Sequence, residues 1–316
     1  MKKKPLIILT GPTAVGKTAL SILLAKRING EIISADSMQV YKGMDIGSAK
    51  VTREEMDGVK HYLIDVLEPV EEFNVVKFQE LAKKAMEEIY AKGNIPIIAG
   101  GTGFYIQSIL YDIDFEKNDG DKEYRAYLEN IAKEDGGEKK LFDMLKEVDP
   151  KSTEIIHENN VKRVIRALEF YKETGMKISE HNEEQREKDS PYNFCYFVLN
   201  DDREKMYSNI EKRVDIMLDN GLVDEVKRLY NNGYTKDMVS MQGLGYKEIL
   251  DYLSGDISLE RAIYLIKRDT RHFAKRQLTW FRREKVVTWI NKPEFGYENE
   301  KILNFMIKNL KENFIL

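Results

Sequence analysis

The sequence predicts an α/β fold: a parallel sheet with helices between its strands, interrupted by an all-helical insertion. Short apolar runs alternate with helical stretches through the first third of the chain, the pattern of a doubly wound, buried sheet. Directly after the first run stands Gly-Pro-Thr-Ala-Val-Gly-Lys-Thr at residues 11–18, a G-x-x-x-x-G-K-[ST] phosphate-binding loop in the strand-loop-helix setting such a loop requires. From about residue 112 to residue 191 strand character stops and charged, amphipathic helices take over. These observations define a P-loop NTPase-like core with a parallel sheet, plus a helical insertion domain. The core is expected at 1–112 and 192–316, and the insertion at 113–191.

In chain order, the apolar run at 6–9 is the first strand and 17–28 the helix behind the loop. The isoleucine-bearing run at 31–35 is a strand, HYLIDV at 61–66 is strand-like, 75–92 is helical, and 95–99 is again strand. The insertion supplies helices at 121–134, 139–147 and 160–173. Strand character returns at 194–199, and helices follow at 203–219, 223–231, 246–253 and 259–277. A last apolar run fills 286–290, and a final helix spans about 298–311.

A chain of 316 residues can bury a substantial core. The single cysteine, Cys195, excludes a disulfide framework and a multi-cysteine zinc site, and it fits a reducing cytoplasm. His61, His157, His181 and His272 are too dispersed to suggest a local metal cluster. The opening Met1 to Lys4 resembles the start of a signal peptide, but the phosphate loop interrupts the apolar run and no cleavage site follows. No stretch approaches transmembrane length, so no membrane partner is expected. The net charge of −4 argues against an acidic polymer as partner only until the distribution of charge is considered.

The glycines of residues 11–18 let the backbone curl with its amides inward, while the following helix presents its positive end and Lys17 its ammonium. Gly11, Pro12, Thr13, Ala14, Val15, Gly16, Lys17 and Thr18 are therefore the candidate oligophosphate cradle, with Thr18 offering a hydroxyl to Mg2+. The loop implies a diphosphate or triphosphate without choosing between them. Asp36 ends the second strand, where open α/β sheets bind ligands; it is a general base, a metal-linked group or a capping residue. Gly100-Gly101-Thr102-Gly103 forms a second strand-to-helix turn, either a backbone approach to a ligand or a plain turn. Residues 261–285 hold Arg261, Lys267, Arg268, Arg271, Lys275, Arg276, Arg282, Arg283 and Lys285 against only Asp269 and Glu284. With His272, Phe273, Trp280 and Phe281 interleaved, this stretch suits a nucleic-acid backbone and stacked bases, or a solvated face with aromatics turned to the core. Lys162, Arg163 and Arg166 form a second basic cluster, so a two-sided grip is expected.

Taken together, GPTAVGKT at 11–18, DSMQVYKGMDIGSAK at 36–50, HYLIDV at 61–66, GGTGFY at 100–105, NNVKRVIRALE at 159–169, RVDIMLDNGLVDEV at 213–226, GLGYKE at 243–248 and KRQLTWFR at 275–282 resemble the bacterial tRNA dimethylallyltransferases (tRNA isopentenyltransferases). The resemblance spans nearly the whole chain and departs at Phe104, often Leu in the family, and at Glu158, usually Pro. The zinc-finger tail of eukaryotic relatives is not expected. The resemblance implies prenyl transfer from dimethylallyl diphosphate to the exocyclic amine of the adenosine beside the anticodon, with diphosphate released and Mg2+ as cofactor. It implies Asp36, Thr13 and Arg213 as catalytic residues, Arg213 completing the diphosphate clamp. For tRNA it implies Asp36, Ser37, Met38, Gln39, Thr102, Arg125, Asn159, Asn160, Val161, Lys162, Arg163, Lys275, Arg276 and Gln277, the anticodon stem-loop lying against the insertion as well as the core. A monomer is expected. A nucleotide or small-molecule kinase shares the loop and the sheet, but it leaves the basic 261–285 stretch unexplained; a prenyltransferase acting on free adenosine phosphate and a non-catalytic RNA-binding protein are the remaining alternatives.

Overall fold

The computed structural model describes residues 3–115 and 121–316, and of residues 186 and 187 the backbone alone. Met1, Lys2 and the part of the expected insertion at 116–120 lie outside the described residues. The chain divides into two compact units, one formed by 1–110 with 191–316 and the other by 111–190.

The first unit is built on a six-stranded sheet of β1 (Lys4–Thr10), β2 (Gly30–Ala35), β3 (His61–Tyr62), β4 (Ile95–Gly100), β5 (Tyr192–Asn200) and β6 (Thr288–Asn291). Its order is β3-β2-β4-β1-β5-β6 and every pairing is parallel. Between the strands come α1 (Lys17–Ile28), α2 (Arg53–Met56), α3 (Val75–Ala91) and α4 (Gly103–Leu110). Side chains alternate across a strand. On one face Ile7, Leu9, Ile97, Phe197 and Leu199 are buried in one cluster with Leu20 and Leu24 of α1. Leu6, Ile8 and Ile98, of the opposite parity, are buried on the other face, and α3, with Phe78, Ala82 and Met86 buried, packs against β2 and β4. Each fully buried aliphatic contributes about 1.5–3 kcal/mol, so a one-residue slip of β1, which would exchange the two sets, is strongly disfavoured.

Register decides where the site is. Thr10 pairs with Gly100, and Ala35 also pairs with Gly100, so the carboxyl ends of β1, β2 and β4 form one row. The segments beginning at residues 11, 36 and 101 leave the sheet side by side. Because the chain places β2 and β4 on one side of β1 and β5 on the other, β1 is also the point at which strand order reverses, the usual ligand crevice of such sheets.

The run 61–66 pairs only at His61 and Tyr62. Leu63 and Asp65 take left-handed backbone, φ 63° and 54°, which ends the strand. The amides of Asp65, Val66 and Leu67 donate instead to the carbonyls of Gln39 and Val40, and so brace the 36–50 segment.

The second unit carries α5 (Lys122–Ile131), α6 (Gly137–Val148), α7 (Pro150–Thr153), α8 (Val161–Thr174) and α9 (Ile178–Glu187). Leu128, Ile131, Leu141, Leu145, Val164, Ile165 and Leu168 recur at helical spacing and form its core. Asp149 is buried and accepts from the amides and hydroxyls of both Ser152 and Ser179, capping α7 and holding the start of α9. Burial alone would raise its pKa, but these four hydrogen bonds prevail and hold the carboxyl below its ordinary value. The exposed face of α8 displays Lys162, Arg163 and Arg166.

The chain then returns to the first unit with α10 (Arg203–Asp219), α11 (Leu222–Asn231), α12 (Tyr246–Leu253), α13 (Leu259–Phe281) and α14 (Asn299–Glu312). Helix α14 joins α1 on the sheet through Ile302, Leu303 and Met306. Helix α13 runs past the expected end at 277 to Phe281, while 282–285 turn out of the helix. Val286 is exposed, and pairing with β5 begins only at Thr288.

Candidate active site

The phosphate loop is held in shape before any ligand is considered. Gly11 has φ 149°, and a Cβ there would lie 2.4 Å from the carbonyl oxygen of Leu199, so only glycine lets β1 turn this close to β5. Met206 and Ile210 of α10 pack with Ala274 and Leu278 of α13, and Ala14 rests on them. Each of the two helices then sends one polar side chain to Thr13. Gln277 of α13, 5% exposed, accepts from the Thr13 amide at 2.8 Å and donates to the Gly101 carbonyl at 3.1 Å. Arg213 of α10 donates to the Thr13 hydroxyl at 3.3 Å. Lys292 donates to the Val15 carbonyl at 3.1 Å.

Lys17 Nζ donates to the carbonyls of Gly11 and Pro12 at 3.0 and 2.7 Å. Its pKa is lowered to about 7, first by burial and then by the Arg213 guanidinium, with Asp36 opposing. Arg213 is itself lowered by burial, against the pull of Asp36 and Glu55. Two desolvated cations and one carboxylate leave an excess of positive charge at the loop, which favours an anion. Thr18, the first-turn hydroxyl, is exposed.

Asp36 follows β2 and is half-buried. Its Oδ1 accepts from the amides of Met38 at 2.8 Å and Gln39 at 3.3 Å, a local Asx turn that fixes the carboxylate. Oδ2 makes no hydrogen bond among the described residues and remains available to a ligand. The Thr102 amide donates to the Ala35 carbonyl at 3.2 Å, which draws the glycine turn against the residue preceding Asp36. The fold thus brings 11–18, Asp36 to Gln39, Thr102, Arg213 and Gln277 to one end of the sheet.

The basic stretch divides into two groups. Lys267 pairs with Asp215, Arg271 with Glu211 and Arg268 with Asp269, so these cations are balanced within the unit. Lys275, Arg276, Arg282, Arg283 and Lys285 are exposed and have no ion pair within 4.0 Å among the described residues. In the second unit Asn159, Asn160, Lys162 and Arg163 are exposed and Val161 is half-buried, while Arg125 is engaged by Glu129 and Glu169. The contact of Gln277 with Thr13, 264 residues away in sequence, had no local signal, nor did that of Lys292 with Val15.

A parallel α/β sheet with a cationic phosphate loop at its switch point, after β1, and a carboxylate at the same end of β2, two strands away across β4, defines a phosphate-loop protein. The chain belongs to the IPP transferase family, whose model matches residues 39–284. It is 62% identical over 313 residues to a tRNA dimethylallyltransferase of Lachnoclostridium phytofermentans, covering 99% of both chains. It is 56% identical to that of Acetivibrio thermocellus, covering 96% of both. Among solved structures it resembles the full-length tRNA isopentenylpyrophosphate transferase of Bacillus halodurans (46% identity, TM-score 0.73, covering 99% of this chain and 98% of that one). It also resembles a eukaryotic dimethylallyltransferase acting on tRNA (31% identity, TM-score 0.79, covering 91% of this chain and 74% of that one).

Proposed function

We propose that this chain is a tRNA dimethylallyltransferase, moving the dimethylallyl group of dimethylallyl diphosphate to the exocyclic amine of the adenosine beside the anticodon. The observation that carries the reading is an anion-seeking phosphate loop after β1, where Lys17 and Arg213 are both desolvated, together with Asp36 at the same end of the sheet, after β2, with β4 between the two strands. The donor's carbon–oxygen bond breaks, and negative charge grows on the departing diphosphate. Lys17, Arg213, Thr13 and the loop amides offset that charge, and they do so most strongly where water is excluded. The amine nitrogen forms the new carbon–nitrogen bond and passes its proton to Asp36. A carboxylate is far too weak a base to ionise a neutral aromatic amine, so the proton leaves during or after bond formation, once the nitrogen has become acidic.

Among the described residues no cluster of three or more His, Cys, Asp or Glu could hold a metal. The exposed Thr18 hydroxyl is the residue that would hold Mg2+, which would supply neutralisation of phosphate charge. In the first unit the exposed cations Lys275, Arg276, Arg282, Arg283 and Lys285 suit RNA phosphates; the second unit, taken by itself, offers Lys162, Arg163 and Arg166 for the same kind of contact. The target base leaves its stack at a cost of a few kcal/mol, less in a loop than in a duplex. No helix among the described residues is long and apolar enough to cross a membrane.

Labelled dimethylallyl diphosphate, offered with unmodified tRNA or with AMP, tests the reading. Label should enter tRNA with equimolar diphosphate release and no turnover of triphosphate. Label in AMP alone would replace the acceptor, and triphosphate hydrolysis without transfer would return the chain to the kinases.

A further inference from the structure

Two of the shared sequence motifs, at 213–226 and 243–248, contribute more to this unit than Arg213. Glu225 of α11 is 4% exposed and is surrounded by donors. Its Oε2 accepts from the amides of Asp45 at 3.0 Å and Ile46 at 2.9 Å, and its Oε1 from the amide of Gly47 at 3.1 Å and the hydroxyl of Tyr246 at 2.8 Å. Three consecutive amides converging on one carboxylate form an anion-binding nest that the protein fills with its own side chain. Tyr246 closes the nest from the other side: a Cβ on Gly47 would lie 2.6 Å from the Tyr246 ring, so that approach requires glycine.

The turn held in this way is tied to Asp36. Gln39 Nε2 donates to the Ala49 carbonyl at 3.1 Å, and Lys50, its side chain 5% exposed, donates to the Tyr41 carbonyl at 2.6 Å and pairs with Asp45 and Asp65. Met38 lies against Gly243, the first residue of the 243–248 motif. The two halves of the 36–50 segment are therefore cross-linked, and the half bearing 45–47 is fastened to α11 and α12.

We propose that Glu225 and Tyr246 are positioning residues for the acceptor: they set the 36–50 segment, and through Gln39 and Met38 the orientation of Asp36, without touching either substrate. The acceptor part of this statement rests on the function proposed above; the mechanical part does not. Glu225→Gln keeps the volume but sets an N–H group against amide donors. With both substrates saturating and well below the unfolding temperature, its single-turnover transfer rate should fall about 10- to 100-fold, the scale of a misplacement of about 1 Å. Affinity for inorganic diphosphate should stay at the wild-type value, because the phosphate loop is held by α10 and α13. Tyr246→Phe, which deletes one bond and folds more safely, should show the same pattern in smaller measure. A purely structural role would lower the unfolding temperature and leave the saturated rate unchanged.

Amide hydrogen exchange without substrates separates the two readings. In Glu225→Gln, exchange should quicken at residues 45–47 and also at Met38 and Gln39. Wild-type protection at Met38 and Gln39 would overturn the proposal whatever the enzyme's acceptor. So would an unchanged saturated rate in a variant whose exchange has quickened, or an equal loss of diphosphate affinity. Failure of wild-type protein to label tRNA would count against the proposed function alone.

Discussion

The phosphate loop and the 36–50 segment leave the same edge of one sheet but are shaped by different means. The loop's shape is local: glycine at 11, the start of α1 and two carbonyls for Lys17 specify it within a few residues, and α10 and α13 only brace it. The 36–50 segment has no regular structure and is assembled from a distance, by Glu225 on 45–47, Lys50 across its middle and Gln39 across its base. A backbone cradle suits a ligand whose recognition needs only charge. A carboxylate that must meet one particular amine needs an address fixed from several directions. Damage to distant residues should therefore disturb the acceptor side more than the donor side, whose distant braces meet it at single points such as Thr13.

The largest effect should follow from the chemical group itself. Asp36→Asn keeps the volume and an acceptor for the Met38 and Gln39 amides but removes basicity, and turnover should fall on the order of 10² to 10⁴, the range of a positioned base. Donor binding should survive. Single-turnover rates with saturating tRNA decide this: an Asn variant as fast as wild type would reduce Asp36 to an orienting residue and pass the proton to water or diphosphate.

The same contrast explains what could be read from the sequence. Residues 11–18 and α1 were legible because a phosphate loop is a spacing rule within eight residues, and short apolar runs forecast the parallel sheet. Of the strand-like run at 61–66 only His61 and Tyr62 pair, because Leu63 and Asp65 take a left-handed backbone that nothing in HYLIDV signals. The parts played by Gln277, Glu225 and Lys292 are illegible in the sequence, because each depends on contacts 176 to 277 residues away that only the folded topology creates. The excess of cations at 261–285 was visible, but the helix pairing that leaves Lys267 and Arg271 balanced by α10 was not.

A smaller effect should come from Gln277, the side chain that joins the two regions. Gln277→Ala leaves the Thr13 amide and the Gly101 carbonyl without their partner, at a cost of about 1–3 kcal/mol. Because the adjacent Thr102 amide holds Ala35, both donor affinity and transfer rate should decline, roughly 5- to 150-fold in total if all of that energy is lost from the transition state. Gln277→Glu preserves the acceptor for Thr13 and loses the donor for Gly101, so it should spare donor affinity more than rate. Equal behaviour of the two variants would mean that the bridge does not couple the regions.

The smallest expected effect sharpens the comparison through pH. Lys17, lowered to about 7 by burial and by Arg213, is protonated in only part of the ligand-free population at neutral pH. A bound diphosphate favours the ammonium and raises its pKa, so binding above pH 7 takes up a proton. Affinity for a donor analogue should therefore fall as pH rises above 7, by no more than about tenfold per unit from this one group, until the pKa of the complex is reached. Below pH 7 Lys17 is already charged and contributes no slope; there the ligand's own phosphate ionisation, near pH 6, governs instead. Titration calorimetry in two buffers of different ionisation enthalpy would count the proton directly. Lys17→Arg, always charged, should bind more weakly because its planar fork does not suit the site of an ammonium, yet with the alkaline decline removed. If the decline persists unchanged in that variant, the proton belongs to another group, and the phosphate loop is not the part of the site whose charge follows pH.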